Sequence, residues 1–295
     1  DWLALVPLAA LGWALAQLPL DFRLWVGRRL GDLAHWALWG RRAVARQNLA
    51  LAFGRERTAR ELACLCRQSF RQLGMTLAEA CALLFTAPTS VLSRVQVEGT
   101  EHLTSAMAQG KGVLLLSAHF GNWELVAASL TGFPLSVVVR PLDHPALDRL
   151  AVRLRVGSGA EFIDKRRALS EVLSALRRQR MVGIVLDQNA SRREGVFVPF
   201  FGVPASTSKG LALLALRTGA PVVPIFIHRG PGGRHRVIVD PAVPLSPTGD
   251  RDRDVVEATA AFTRIIEAKV RQHPEQWFWL HRRWKTRPLQ SAPGS

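Results

Sequence analysis

From Val95 to Gln272 the chain alternates short apolar runs with stretches of helical periodicity, and few folds accept that rhythm. Val95–Gly99, Val113–Leu116, Leu135–Val139, Glu161–Ile163, Val182–Leu186, Val222–Ile227 and Arg236–Val239 have the length or texture of strands. Helical patterns lie at about Asn122–Leu130, Ala146–Val156, Ala168–Arg178, Ser206–Thr218 and Asp254–Gln272, and Pro274 stops the last. Strands separated by helices predict an α/β fold, a central, mostly parallel sheet flanked by helices. Val113–Leu116 is apolar without interruption, the mark of a strand covered on both faces.

Residues 1–90 read differently, as helices alone. Residues 2–20 carry no charge, close to the roughly 20 apolar residues that a spanning helix needs. Arg23, Arg28, Arg29, Arg41, Arg42 and Arg46 follow, which by the positive-inside rule would keep the rest of the chain in the cytoplasm. Pro7, Gly12 and Pro19 interrupt the segment, so a helix lying in the membrane interface competes with a spanning one. Ala14-Leu15-Ala16 also has the look of a signal-peptidase site. The expected organisation is a helical region over 1–90 with a membrane anchor at about 1–20, an α/β domain over 91–290, and a frayed tail over 291–295.

An apolar content of 48% excludes a mainly disordered chain. Lys and Arg outnumber Asp and Glu by 39 to 23, and a net charge of +16 calls for an acidic partner: nucleic acid, an anionic membrane, or an acidic protein or lipid. Cys64, Cys66 and Cys81 make no disulfide framework and no zinc spacing, and no metal site or cofactor is expected.

The chemistry concentrates in VLLLSAHFGNWELVAASL. A buried strand delivers His119 to its C-terminal end, the usual ligand crevice of an open α/β sheet. Gly121 eases a turn into a helix that carries Glu124. A neutral imidazole can take a proton from an alcohol near neutral pH, and a carboxylate on its other nitrogen fixes the tautomer and stabilises the imidazolium. Taken alone, a His and a Glu at this spacing are as consistent with a satisfied structural pair as with catalysis.

HFGNWE resembles the H-x4-[DE] motif of glycerolipid-type acyltransferases, and most closely that of the bacterial lipid A late acyltransferases. HPEQWFWLHRRWKTRP (His273–Pro288) resembles the C-terminal signature of that family. NLALAF, VVRPLDHPALDRL, LDQN, GVFVPFFGVPASTS and APVVP match its other segments in order, so the resemblance spans nearly the whole chain. It implies an O-acyltransferase in which His119 deprotonates an acceptor hydroxyl and Glu124 orients His119. The hydroxyl would attack an acyl thioester, with acyl carrier protein as the donor, an anionic membrane glycolipid as the acceptor, and the cytoplasmic face of a bacterial inner membrane as the location.

GAEFIDK resembles a second acyltransferase motif, G-x-x-F-I-x-R, with Lys165 at its basic end. Arg153 and Arg155 just before it, and more weakly Arg166 and Arg167, are candidates to hold an acceptor phosphate, against the reading of a solvated helix face. Arg140, Asn122, Asp187 and Gln188 are the other substrate-binding candidates. The F-P-E-G block of glycerol-phosphate acyltransferases is absent, which favours a lipid A precursor as acceptor. A different glycolipid such as a phosphatidylinositol mannoside, or a non-catalytic membrane-binding relative, are the alternatives. Trp277, Trp279 and Trp284, among Arg282, Arg283 and Lys285, suit a membrane interface. Without a nucleic-acid fold signature, stacking on bases is not expected.

Overall fold

Val113, Leu114, Leu115 and Leu116 are each at most 1% exposed, and their side chains feed two separate cores. Leu114 and Leu116 join one, and Val113 and Leu115 the other, because alternate residues of a strand face opposite sides of the sheet. The computed structural model describes residues 6–86, 92–140, 148, 152 and 159–289.

Among the described residues the main sheet has seven strands. In chain order they are β1 (Val95–Glu98), β2 (Val113–Ser117), β3 (Leu135–Val139), β4 (Glu161–Asp164), β5 (Met181–Val185), β8 (Val222–Arg229) and β9 (His235–Val239), and across the sheet they run β1-β9-β8-β2-β5-β3-β4. All pairings are parallel except β8 with β9. The mostly parallel α/β architecture read from the sequence is therefore present. The predicted helix over Ala146–Val156 lies almost wholly outside the described residues.

One expectation fails. The pattern predicted helix from Ser206, yet Val203–Ser208 is a strand, β7, that pairs antiparallel with β6 (Gly195–Phe200). The helix begins at Gly210. Phe201 and Gly202 close the hairpin with φ of 54° and 71°, as a two-residue turn that follows strand twist requires. Phenylalanine is no turn signature. Its backbone N–H donates to Glu267 at 2.6 Å and the Arg271 guanidinium lies 4.6 Å from its ring, so tertiary contacts hold the conformation.

Within the described residues, α1 covers Val6–Gln17. No helix among the described residues is long and apolar enough to cross a membrane. The chain turns at Pro19 into α2 (Leu20–Ala37) and then α3 (Trp39–Phe53) and α4 (Ala59–Leu83). Arg23 on α2 donates to the carbonyls of Leu15, Ala16 and Leu18, which pins the end of α1. Gly27 and Gly31 meet Gly74 on α4 so closely that a Cβ at Gly31 would strike the Phe70 carbonyl and the Arg71 backbone. Asp32 accepts from Arg67 and Arg71 across the same contact at 2.7 and 2.8 Å. Leu49, Phe53 and Phe70 share one core with Leu114 and Trp279.

Candidate active site

Ser117 pairs with Val185 in the parallel register of β2 and β5, so the residues two positions beyond each strand, His119 and Asp187, emerge side by side. The Nδ1 of His119 lies 2.8 Å from Oδ1 of Asp187, and the backbone N–H of His119 donates to Oδ2 at 3.0 Å. The indole N–H of Trp277 donates to the same Oδ2 at 2.8 Å. Asp187 is 3% exposed. Burial pushes its carboxyl up, but the His119 charge and hydrogen bond, the His119 N–H and the Trp277 N–H outweigh that and hold it below the usual carboxylate range.

The ring of His119 stays 21% exposed and reachable from solvent. Trp123 meets it edge-on at 5.3 Å, and Phe278 flanks it at 6.2 Å. Its Nε2 lies 3.4 Å from the side-chain amide of Gln188, an exposed residue. The arrangement suits proton abstraction: an anionic carboxylate on one nitrogen, the Gln188 amide beside the other, a partly exposed ring, and aromatic walls.

The C-terminal signature supplies the frame. Phe120 bridges Trp277, the Phe278 N–H donates to the His119 carbonyl at 3.1 Å, and the Gly121 N–H donates to the Gln276 carbonyl at 2.9 Å. Arg283, 1% exposed, donates to the Gln188 carbonyl and to Ser206 and Thr207 of β7. Burial lowers its guanidinium to about 10. Trp277, Trp279 and Trp284 are each at most 8% exposed. They pack in the core, which corrects the expectation that this segment meets a membrane. Trp277 and Trp284 pack against Phe200, and the Arg283 guanidinium lies 5.1 Å from the same ring.

The candidates separate by position. His119, Asp187 and Gln188 come together. Asp187, expected among the acceptor contacts, spends its oxygens on His119 and Trp277 instead. The carboxylate on the second ring nitrogen, expected to be that of Glu124, is that of Asp187, since Nδ1 has one hydrogen-bonding direction and Asp187 occupies it. Glu124 opens the short helix α5 (Glu124–Ser129), half-buried, and accepts from the Trp123 indole at 3.2 Å. Asn122 is 0% exposed, and its amide donates to Glu79 at 2.7 Å, a placement that braces the loop and does not support substrate contact. Arg140 is exposed at the C-terminal end of β3, and Lys165 and Arg166 follow the end of β4, all on the sheet edge that carries His119. Arg153 and Arg155 lie outside the described residues.

Glu79, Arg229 and His235, which meet in the interior, are not among the residues that motif and spacing single out. A fainter signal was present: Gln72, Thr76 and Glu79 recur at helical spacing on α4, and Thr76 and Glu79 are buried where an amphipathic helix would present apolar residues.

Comparison with known proteins bears on this geometry. The family model described as bacterial lipid A biosynthesis acyltransferase matches residues 1–286. The lipid A biosynthesis palmitoleoyltransferase of Escherichia coli is 30% identical over 292 residues, covering 98% of this chain and 92% of that protein. The lauroyltransferase of the same organism is 33% identical over 290 residues, with 97% and 92% covered. A phosphatidylinositol mannoside acyltransferase of Mycobacterium tuberculosis is 31% identical over 212 residues, covering 65% of this chain and 60% of its own length.

Proposed function

The chain belongs to the bacterial lipid A biosynthesis acyltransferase family and is an O-acyltransferase of the late lipid A type, and from that premise we propose how it works. It moves a fatty acyl group from an acyl thioester, acyl carrier protein being the donor, to a hydroxyl of a lipid A precursor. The observation that carries this reading is the Asp187–His119 pair at the end of β2, on a ring that stays 21% exposed.

Nε2 of His119 takes the proton of the acceptor hydroxyl as its oxygen attacks the thioester carbonyl. Asp187 holds the Nδ1 proton and offsets the charge of the imidazolium. The C–O bond forms, the tetrahedral oxyanion collapses, the C–S bond breaks, and the thiolate recovers the proton from His119. The Gln188 amide, beside Nε2, is placed to donate to an oxygen of the reacting groups. Glu124, on the helix that follows the loop, contributes negative charge that favours the imidazolium. Arg140, Lys165 and Arg166 on the same sheet edge suit the phosphates of an anionic acceptor. His119→Ala should lower transfer on the order of 10³-fold with the fold intact. Activity near wild type would remove His119 from the chemistry.

Catalysis takes place at the cytoplasmic face of a bacterial inner membrane, with α2 in the interface. Phe22, Trp25, Leu33 and Trp36 are 48–75% exposed and lie with Arg29 on one stripe of the helix, opposite the glycines that pack on α4. Aromatic residues with arginine at their side suit the headgroup region of an anionic leaflet. Flotation with vesicles rich in anionic phospholipid should recover the protein. The double exchange W25S/W36S should leave it at the bottom of the gradient, and co-flotation of that variant at the wild-type level would move the contact elsewhere.

A further inference from the structure

Glu79 is a carboxylate 3% exposed, on a helix far in sequence from the reacting groups, and it bonds three partners. Its Oε2 accepts from the Asn122 amide at 2.7 Å. Its Oε1 pairs with the guanidinium of Arg229 on β8 and with Nε2 of His235 on β9, the latter at 3.1 Å. Arg229 also donates to Gln72 and Thr76 on α4, each at 3.2 Å. Gln276 then closes the ring. Its side chain exchanges two hydrogen bonds with the Arg229 backbone, and its carbonyl takes the Gly121 N–H.

α4 and the C-terminal segment thus grip Gly121 and Asn122, the middle two of the four residues between His119 and Glu124. The grip is also steric. Gly121 has φ of 58°, and a Cβ there would strike the Ile227 carbonyl of β8, so the loop rests directly on strand backbone. Burying an ion pair is a poor route to stability, since apolar residues of the same volume often do as well or better. What such a cluster supplies that apolar packing does not is direction. The Glu79–Asn122 bond fixes which way the loop faces, and therefore where the His119 ring stands relative to Glu124.

We propose that Glu79 is a positioning residue for acyl transfer, acting through Asn122 on the His119–Glu124 loop, with Arg229 and His235 as its counter-groups. The proposal rests on His119 being the base. The two fail separately: an active His119→Ala variant sinks that reading, whatever Glu79 does.

The test is steady-state kinetics of the full-length protein in vesicles or detergent, with rates divided by folded enzyme. Asn122→Ala is the leading variant because it leaves the Glu79–Arg229 pair whole. It should lower kcat by about tenfold to a hundredfold, the penalty of a small misplacement of a reacting group, with KM for donor and acceptor within about twofold. Glu79→Gln should do the same. The exchange E79Q/N122D reverses donor and acceptor, keeps the net charge, and should recover most of the lost kcat. Val255→Ala, near the distant N-terminal end of the last long helix, serves as a control matched in loss of Tm and should keep the wild-type kcat. The proposal is overturned by any of three results: Asn122→Ala with unchanged kcat, a folded double exchange with no recovery, or a fall in kcat that follows Tm equally in Val255→Ala. A rise in KM in place of the fall in kcat would also overturn it, since it would make Asn122 a substrate contact.

Discussion

The indole N–H of Trp277 and the backbone N–H of His119 converge on one oxygen of Asp187, at 2.8 and 3.0 Å, while the other oxygen takes the His119 ring. The carboxylate therefore cannot rotate without breaking a bond to the C-terminal signature or to the loop it serves. Residues 119, 187 and 277 act as one unit although they come from three distant parts of the chain.

Asp187→Asn should be far more damaging than its size change suggests. The amide cannot hold the imidazolium charge, and its NH2 group would face a donor, leaving His119 in the wrong tautomer or unpaired. We expect kcat to fall on the order of 10³–10⁴-fold with circular dichroism unchanged. Glu124→Gln should lose less, and a larger loss than that of Asp187→Asn would restore Glu124 as the main partner of His119.

Trp277→Phe keeps the ring and removes one hydrogen bond to a buried charge, which costs about 1.5–3 kcal/mol. The Asp187 carboxyl should rise as a donor is lost. A depressed carboxyl contributes stability that is present above its unfolded pKa and lost as pH falls through the lower folded value. A smaller depression contributes less, so acid unfolding of the variant should begin at higher pH. Coincident acid-unfolding curves would show that the indole N–H does not stabilise the carboxylate.

His281 predicts a second pH effect, on stability. Burial pushes its imidazole down to about 4 from an ordinary 6.5, and its Nδ1 has no hydrogen-bond partner. Between these values the unfolded chain binds a proton that the folded protein refuses, so stability should fall as pH drops from about 6.5 to about 4. His281→Gln should flatten Tm over that window. An equal slope in the variant would assign the effect to other groups.

Gly121→Ala combines a left-handed backbone with a collision against the Ile227 carbonyl. The conformational strain alone costs about 1–2 kcal/mol. The urea midpoint should drop, and kcat should drop further than stability accounts for, because relief of the clash moves His119. A variant that loses stability but keeps kcat would show that the loop tolerates the shift.

Periodicity within the sequence determined the class of fold, because a strand covered on both faces must be apolar without interruption and a helix must repeat its apolar side. It also located His119, since a polar residue at the end of such a strand can only emerge at the sheet edge. Sequence pattern missed the β6–β7 hairpin, whose turn depends on Glu267 and Arg271 closing over Phe201. It placed the tryptophans of the C-terminal signature at a membrane when they pack inside. The partner of His119 was beyond it as well. Glu124 is near in sequence, but parallel pairing of β2 with β5 brings Asp187, 68 residues away, to Nδ1. Local pattern carries burial and periodicity, which are properties of one segment. Which carboxylate meets which imidazole is decided by strand register and by the C-terminal segment laid across both loops, and those exist only in the folded chain.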